Sequence, residues 1–182
     1  MSLLRPSPLV IAARHGWRWT GVERPPFAEA PAPGQRSVWD FPRPPEAEDV
    51  DGRVEVRLGA TVIAMTTRAR RVLETSHPPT YYIPPADVDL SLITVRDDAS
   101  HCEWKGFSCA LDAGPIDNAG WMLRSAYVEF AHLLGWLAFY PQKLDCSING
   151  DAVMAQPGAY YGGWITPDLA GPFKGAPGSG DW

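Results

Sequence analysis

Polar and apolar residues alternate along Arg53-Val54-Glu55-Val56-Arg57-Leu58, and Gly59-Ala60 then leads into the apolar run Thr61-Val62-Ile63-Ala64-Met65. A period of two places every second side chain on the same face of a β-strand. A glycine between two such runs is typical of a tight turn. This stretch therefore predicts a β-hairpin with one buried face.

Short apolar runs that favour strands continue through the central region. They span residues 88–95, 107–111, 124–130, 135–140 and 143–148. Residues 67–74 and 127–134 favour short helices, and the second of these segments overlaps a predicted strand. Short strands separated by proline and glycine are typical of antiparallel sheets. We therefore predict a mainly β fold, a small antiparallel domain with short helices.

The two ends of the chain differ from the centre in composition. Residues 1–48 are rich in proline, and a proline inside a helix costs about 3 kcal/mol, so a long helix is excluded there. We predict that this extension runs irregularly over a core domain at residues 49–150. Residues 151–182 form a second long, irregular extension rich in glycine, proline and aromatic residues. Its aromatic side chains indicate packing on the domain, either as a cover over a cleft or as a wrap without function.

Charge and cysteine content exclude several classes of protein. Sixteen Lys and Arg against 21 Asp and Glu give a net charge of −5, and no basic run interleaves with aromatic residues. Nucleic-acid binding is therefore not expected as the main role. Three cysteines without a CxxC pair do not make a disulfide framework, and no stretch approaches the roughly 20 apolar residues of a membrane span. We predict a soluble cytoplasmic protein without a nucleic-acid or membrane partner.

Titratable and aromatic residues concentrate in two short runs. These are Glu74-Thr75-Ser76-His77-Pro78-Pro79-Thr80-Tyr81-Tyr82-Ile83-Pro84-Pro85 and His101-Cys102-Glu103-Trp104-Lys105-Gly106. Proline and glycine make both runs typical of stiff loops, and loops held on a rigid scaffold often carry function. We predict that the two runs fold toward each other and enclose one polar and aromatic pocket.

His77 is the first candidate for chemistry in this pocket. An imidazole titrates near neutral pH, so it can donate and accept protons, and Pro78-Pro79 fix its local path. Glu74 lies three residues earlier and would orient the ring if residues 73–77 form a helical turn. In the alternative interpretation, His77 only caps this turn and Glu74 is solvated. The catalytic hypothesis assigns acid–base chemistry to His77 with Glu74 as its partner.

Cys102 is a candidate nucleophile. The thiolate is the reactive form of cysteine, and the ammonium of Lys105 would favour it. In the alternative interpretation, Cys102 is a buried structural residue, as predicted for Cys109 and Cys146. Neighbours on a strand point to opposite faces, so His101 need not share a site with Cys102.

The remaining candidates are expected to contact a ligand. Lys105 precedes a glycine that allows close backbone approach, and its ammonium would meet a carboxylate or phosphate. Tyr81, Tyr82 and Trp104 would wall the pocket for a flat or apolar ligand, with His101 beside them. Core packing is the alternative for these aromatic residues.

Several motifs carry a family resemblance. They are Trp39-Asp40-Phe41-Pro42-Arg43-Pro44-Pro45, Val72-Leu73-Glu74-Thr75-Ser76-His77-Pro78-Pro79 with Tyr81-Tyr82-Ile83-Pro84, His101-Cys102-Glu103-Trp104-Lys105-Gly106, and Leu137-Ala138-Phe139-Tyr140-Pro141. On these motifs residues 37–155 resemble the bacterial family of domains of unknown function numbered 427, and the tail resembles the longer members of that family. The resemblance implies a β-tent fold, which methionine-R-sulfoxide reductases and the thalidomide-binding domain of cereblon share.

The resemblance also raises two questions of metal binding. Many β-tent proteins hold a structural zinc between two CxxC knuckles, which this chain lacks. A nucleotidyltransferase label travels with the family, and Asp87-Val88-Asp89 has the bare spacing of a metal-binding pair without the Gly-Ser turn ahead of it. His77, His101 and Cys102 have the residue types of a three-ligand site, provided that they converge. We expect neither a metal nor a cofactor.

These observations lead to one function hypothesis with alternatives. The leading hypothesis is a pocket for a small molecule, anionic or aromatic, with acid–base chemistry centred on His77. A non-catalytic ligand-sensing or partner-binding module is the first alternative. A thiol enzyme that depends on Cys102, or a nucleotidyltransferase as the family label suggests, is the further alternative. Aromatic residues in the extensions fit either a homodimer or wrapping within one chain.

Overall fold

Hydrogen-bonded strands dominate the protein, whose computed structural model describes all 182 residues. Strands hold 38% of the residues and helices 12%, which confirms the predicted mainly β, antiparallel class. The strands are β1 (Ser2–Leu4), β2 (Arg36–Ser37), β3 (Glu46–Asp49), β4 (Val54–Leu58), β5 (Thr61–Thr66), β6 (Arg70–Leu73), β7 (Thr80–Tyr82), β8 (Ile93–Val95), β9 (Ser100–Cys102), β10 (Gly106–Ala113), β11 (Ile116–Tyr127), β12 (Leu137–Phe139), β13 (Asp145–Ile148), β14 (Asp151–Ala152), β15 (Met154–Ala155), β16 (Trp164–Ile165) and β17 (Leu169–Ala170). The helices are α1 (Pro8–Arg14) and the short 3-10 helices Val38–Asp40, Pro85–Asp87, Leu90–Leu92 and Val128–Leu133.

Three sheets form the body of the fold. The largest has the order β1-β11-β10-β8, with β9 also paired to β10 and β12 to β11. The second has the order β14-β13-β4-β5 and contains the predicted hairpin as β4 and β5. The third has the order β3-β6-β7. A bridge between Ile83 and Leu137 ties the end of β7 to β12, so the third sheet is anchored to the first.

One hydrophobic core receives side chains from all three sheets. Val56 comes from the second sheet, Tyr81 from the third and Leu111 from the first, and each is almost completely buried. A second cluster around Tyr82 and Leu123 lies between the third sheet and the long strand β11. The alternation in β4 has the predicted effect, because Val54 and Val56 are buried while their neighbours are partly exposed.

The predicted helix at residues 67–74 is wrong, because Arg70–Leu73 is the strand β6. It pairs with β3 on one side and with β7 on the other. Opposite charges face each other across the first pair: Arg70 with Asp49 at 2.9 Å, and Arg71 with Glu48 at 2.6 Å. These partners lie more than 20 residues away, so a local pattern does not reveal them.

Other predicted boundaries shift for local reasons. Only Ile93–Val95 of the predicted strand 88–95 is a strand, because Asp89 accepts a hydrogen bond from the amide of Ser91 and starts a 3-10 helix. The predicted strand at residues 124–130 overlaps the predicted helix at residues 127–134. In the structure β11 continues up to Tyr127, and a 3-10 helix follows it. The N-terminal extension contains the unpredicted helix α1, with Ser7 at its N-cap and proline in its first turn.

The two extensions pack on each other within one chain. Strand β17 of the tail pairs in parallel with β2 of the N-terminal extension. The rings of Phe27 and Trp182 stack at 5.1 Å, and Trp39 meets both of them edge-on. Strand β3 runs across the predicted boundary at residue 48 and pairs with β6. The three-part division of the chain and the homodimer both stay predictions.

Gly106 sets the geometry where β9 turns into β10. Its φ is +118°, and a Cβ at this position would lie 2.2 Å from the carbonyl oxygen of Ser125 on β11. A side chain at residue 106 would therefore push β10 away from β11. Lys105 directly precedes this glycine, so the close approach of β10 to β11 also fixes the position of the Lys105 Cα, from which its side chain begins.

We expect Gly106→Ala to lower the free energy of unfolding by about 3 kcal/mol, because strain and a backbone clash add. Gly59→Ala is the matched control. Gly59 also has a positive φ, of +57°, but open space around its Cβ position. This control should lose only about 1 kcal/mol, the cost of the backbone conformation. Urea unfolding measures both values, and equal losses would contradict the close approach to Ser125.

Candidate functional site

A tight turn at residues 74–77 presents the first group of candidate residues. The amide of His77 donates a hydrogen bond to the carbonyl of Glu74 at 3.0 Å, and Ser76 has a φ of +71°. The turn is therefore not helical. A helical turn was the condition under which we expected Glu74 to orient the imidazole of His77. The amide of Ser76 donates to the carbonyl of Val38, and the carbonyl of Ser76 accepts from the amide of Lys174. Both extensions thus hold the turn in place.

Glu74 carries a buried carboxylate between two cations. Its side chain is 13% exposed, with Arg43 Nη2 at 3.3 Å from Oε1 and Lys105 Nζ at 3.7 Å from Oε2. Burial opposes ionisation, but the attraction of nearby cations, among them Lys105 and Arg43, outweighs it and lowers the pKa of Glu74. The carboxylate is therefore charged at neutral pH. It pairs with Arg43 and Lys105 and is mostly enclosed, whereas the alternative interpretation placed it in solvent.

Lys105 supplies the cation on the cavity side of Glu74. Burial opposes the charge on its ammonium, but interactions with Cys102 and Glu74 raise the pKa of Lys105 above its usual range. No protein acceptor lies within hydrogen-bond distance of Nζ, since its nearest partner is the Glu74 oxygen at 3.7 Å. The three N–H donors of this ammonium remain free to bind another group.

His77 is held by two residues of the tail. Its Nδ1 lies 3.1 Å from Nε2 of Gln156, and its ring meets that of Tyr161 edge-on at 4.7 Å. Burial lowers the pKa of His77 to about 4, against the opposing attraction of Glu74. The imidazole is therefore neutral at neutral pH.

These groups face one cavity with a volume of about 430 Å³. Five of the predicted site residues line it together: Glu74, His77, His101, Cys102 and Lys105. The two runs that the sequence analysis singled out, residues 74–85 and 101–106, therefore do meet, and His77 and Lys105 line the same cavity. His101 and Cys102 are neighbours on β9, where His101 Nε2 lies 2.9 Å from the hydroxyl of Tyr127.

The other predicted ligand contacts lie away from the cavity wall. Tyr81 is buried against Trp164, with stacked rings at 4.7 Å. Tyr82 is fully buried, and its hydroxyl accepts a hydrogen bond from Trp121 Nε1 at 3.3 Å. Trp104 is buried beneath the guanidinium of Arg14, 5.2 Å from its ring. These three aromatic side chains therefore occupy the core, which was the alternative interpretation.

A different set of aromatic residues forms the wall. They are Trp17, Trp121, Tyr140, Tyr160 and Tyr161. Trp17 donates from Nε1 to Glu103, and its ring packs against the cations of Arg43 and Lys174 at 4.3 and 4.4 Å. Tyr140 lies in one of the motifs that carry the family resemblance, and the composition of the extensions gave a general signal for Trp17, Tyr160 and Tyr161. Nothing local marked Trp121 or Gln156.

The tail is tied down beside this wall. Lys174 donates from Nζ to the carbonyls of Gly180 and Trp182 at 2.9 and 2.6 Å, and burial lowers its pKa to about 8. Gln142 donates from its amide to the carbonyls of Gln156 and Tyr161. Residues 159–162 thereby stay against the cavity, so the tail covers a cleft as one of the two interpretations held.

The remaining candidate groups have structural partners elsewhere. Asp87 binds the guanidinium of Arg68 and the hydroxyl of Thr66, and Asp89 caps a 3-10 helix. Cys109 and Cys146 are buried among strand residues, as predicted, and burial raises the pKa of both thiols. No group of three or more His, Cys, Asp or Glu side chains is arranged to hold a metal ion.

Residues 35–150 match the family described as a domain of unknown function (DUF427). The match covers more than half of the chain, so this protein belongs to that family. A search of curated proteins found no match. None of the helices has the length and hydrophobicity that a membrane-spanning helix requires. The matched range contains the Glu74–His77 turn and Lys105, whereas Trp17, Gln156, Tyr160 and Tyr161 lie outside it.

The buried imidazole predicts a pH dependence of stability. The pKa of His77 is about 4 in the folded protein and near 6.5 in an unfolded chain, so unfolding takes up a proton between these values. The free energy of unfolding should therefore fall as the pH drops from about 6.5 to about 4, by up to about 3 kcal/mol. His77→Asn removes the titrating group and should show a flatter curve in urea unfolding across this range. Parallel curves for the two proteins would contradict a buried neutral imidazole.

Proposed function

We propose that this protein binds a small molecule that carries an anionic group, in the cavity between the Glu74–His77 turn and the β9–β10 turn. The observation that supports this proposal most directly is the ammonium of Lys105. It is charged, lies at the cavity wall, and has no hydrogen-bond acceptor from the protein. A largely enclosed ammonium without a protein acceptor loses part of its hydration, and a charge-assisted hydrogen bond to an anionic oxygen would offset that cost.

The shape and lining of the cavity favour a flat molecule of modest size. A volume of about 430 Å³ lies within the usual range of small-molecule sites. The rings of Trp121 and Tyr140 lie 4.8 Å apart on one part of the wall, and Tyr160 meets Tyr161 edge-on at 4.9 Å. Such rings stack on planar ligands and exclude water around the anchored charge.

The charge balance favours a single negative charge on the ligand. Three carboxylates line the same cavity as Lys105: Glu74, Asp98 and Glu103. A polyphosphate would face these carboxylates, whereas a carboxylate needs only the one ammonium. Asp87 and Asp89 are the acidic pair with the spacing of a nucleotidyltransferase metal site. Asp87 already pairs with the guanidinium of Arg68, and Asp89 already caps a 3-10 helix. An aromatic or other planar monocarboxylate is therefore the ligand class that fits best.

His77 supports ligand binding in its neutral form. With a pKa of about 4, the imidazole carries no charge at neutral pH and is a weak base. Its contribution to chemistry is then to polarise a ligand oxygen by hydrogen bonding. The carboxylate of Glu74 holds the cations that pair with it close to this oxygen. The same pocket also serves the non-catalytic alternative, a ligand-sensing module, in which the bound molecule is released unchanged.

A carboxylate probe tests the role of Lys105. We expect 2-naphthoate to bind more tightly than the uncharged 2-naphthamide, and Lys105→Met to weaken naphthoate binding about tenfold or more. Lys143→Met is the matched control, because Lys143 is exposed, does not line the cavity, and its Nζ already donates to the backbone carbonyl of Asp117. NMR titration gives the affinities and maps the binding site. Equal affinities for the acid and the amide, or resonance shifts confined to residues that do not line the cavity, would overturn the proposal.

A second candidate function is thiol chemistry at Cys102. Cys102 is partly exposed and lines the cavity with Lys105, and the two groups interact electrostatically, whereas Cys109 and Cys146 are buried. A cation beside a thiol favours the reactive thiolate. The β-tent fold that the family resemblance implies is shared with sulfoxide reductases, but it adds no residue to this site and does not by itself imply their function.

Iodoacetamide labelling tests the thiol candidate. Cys102 should react more than about tenfold faster than Cys109 and Cys146, because buried thiols react only through local opening. Exposure alone also speeds labelling, so Lys105→Met is compared with Lys143→Met. A slower rate only in Lys105→Met indicates that the ammonium activates Cys102. If both variants label at the wild-type rate, Cys102 is exposed but not activated.

A further inference from the structure

We propose that Gln156 is a positioning residue that commits His77 to donate its Nε2–H, so that the ligand presents an acceptor oxygen to the imidazole. This inference rests on the proposed ligand pocket and narrows the ligand class to carboxylates and carbonyl compounds. Gln156 lies in the tail, outside the range that matches the family. The tail would then determine how the imidazole of the family domain meets its ligand.

Two backbone groups fix the orientation of the Gln156 amide. The amide of Gly163 donates a hydrogen bond to Oε1 at 3.0 Å, and Nε2 donates to the carbonyl of Lys174 at 2.8 Å. A backbone N–H only donates and a backbone C=O only accepts, so the side-chain amide cannot turn over without losing both bonds. Gln156 is 2% exposed, and water therefore cannot replace them.

The fixed amide then determines which nitrogen of His77 carries the proton. The second N–H of Gln156 Nε2 points to His77 Nδ1 at 3.1 Å, so Nδ1 must accept. In a neutral imidazole one nitrogen accepts and the other donates, which places the proton on Nε2. No protein group bonds to this Nε2, and His77 lines the cavity. If Nδ1 carried a proton, its N–H would face the N–H of Gln156 Nε2, and two donors would oppose each other. This unfavourable contact agrees with the neutral state of the ring.

Close packing holds the amide in this position. A Cβ at Gly163 would lie 2.4 Å from Oε1 of Gln156 and 2.5 Å from the carbonyl oxygen of Pro78. The backbone N–H of Gln156 also donates to the carbonyl of Gly163 at 3.0 Å, and the backbone N–H of Gly163 donates to the side chain of Gln156, so the two residues bond to each other in both directions. Gly163 thereby lets the tail approach the residue that follows His77. The contact between Gln156 and His77 is built into the packing of the tail.

Nitrogen NMR of histidine-labelled protein at neutral pH tests this assignment without any ligand. In the wild type, His77 should give a pyridine-type resonance for Nδ1 and a pyrrole-type resonance for Nε2, with the signals assigned by their loss in His77→Asn. Gln156→Met keeps the length of the side chain but removes the amide, and should shift the proton toward a mixture of both nitrogens. A wild-type proton on Nδ1, or a charged imidazolium, would overturn the inference, and this spectrum decides even if Gln156→Met does not fold.

Gln142→Met is the matched control, because Gln142 also holds the tail through its amide but does not touch His77. It should leave the His77 resonances unchanged; a change as large as that in Gln156→Met would assign the effect to general loosening of the tail and overturn the inference. Naphthoate should bind Gln156→Met roughly two- to tenfold more weakly than the wild type. If naphthoate does not bind the wild type while the Nε2 proton is observed, the proposed function fails and the positioning role of Gln156 is supported.

Discussion

The burial of one ionised carboxylate, that of Glu74, is the constraint on which the site depends. An ionised carboxylate away from water costs several kcal/mol unless opposite charges and hydrogen bonds surround it. Arg43 provides one of those charges from the N-terminal extension, and Lys105 provides the other from the turn before β10. Three segments that are distant in sequence must therefore meet at Glu74. The cavity is the space that remains on the Lys105 side of this meeting.

The two extensions complete this arrangement and are part of the site. Arg43 donates to the carbonyls of Trp19 and Thr75 as well as to Glu74, which links the N-terminal extension to the turn. The tail contributes the amide next to His77 and two of the aromatic rings in the wall. A family domain that spans residues 35–150 thus supplies the charged groups, while flanking segments supply much of the enclosure.

The sequence predicted best the features that depend on neighbouring residues or on chemistry. The hairpin of β4 and β5 follows from the alternation around Val54 and Val56, because only one face of that strand meets the core. The meeting of His77 with Lys105 followed from the concentration of reactive residue types in two stiff loops. The fold class is mainly β, as the pattern indicated, and the β-tent arrangement stays a prediction of the resemblance.

Features that arise from distant contacts were not predictable in the same way. Arg70–Leu73 has a composition that suits a helix, but Glu46–Asp49 offers a complementary edge and converts it into a strand. The wall of the cavity draws Trp17, Trp121 and Tyr161 from three distant positions, so no local pattern identifies it. Tyr81 and Tyr82, which are close to His77 in sequence, point into the core because strand β7 directs them there.

The pairing of β2 with β17 has a consequence for the motions of the two extensions. The amide of Arg36 donates to the carbonyl of Asp168 at 2.8 Å, and Gln35 donates from its side chain to the carbonyls of Pro167 and Leu169. Each short strand has the other as its hydrogen-bonding neighbour, so separation of the two removes the strand pairing of both. The amide protons that bond residues 35–37 to residues 167–170 are therefore expected to become open to solvent exchange in the same local opening.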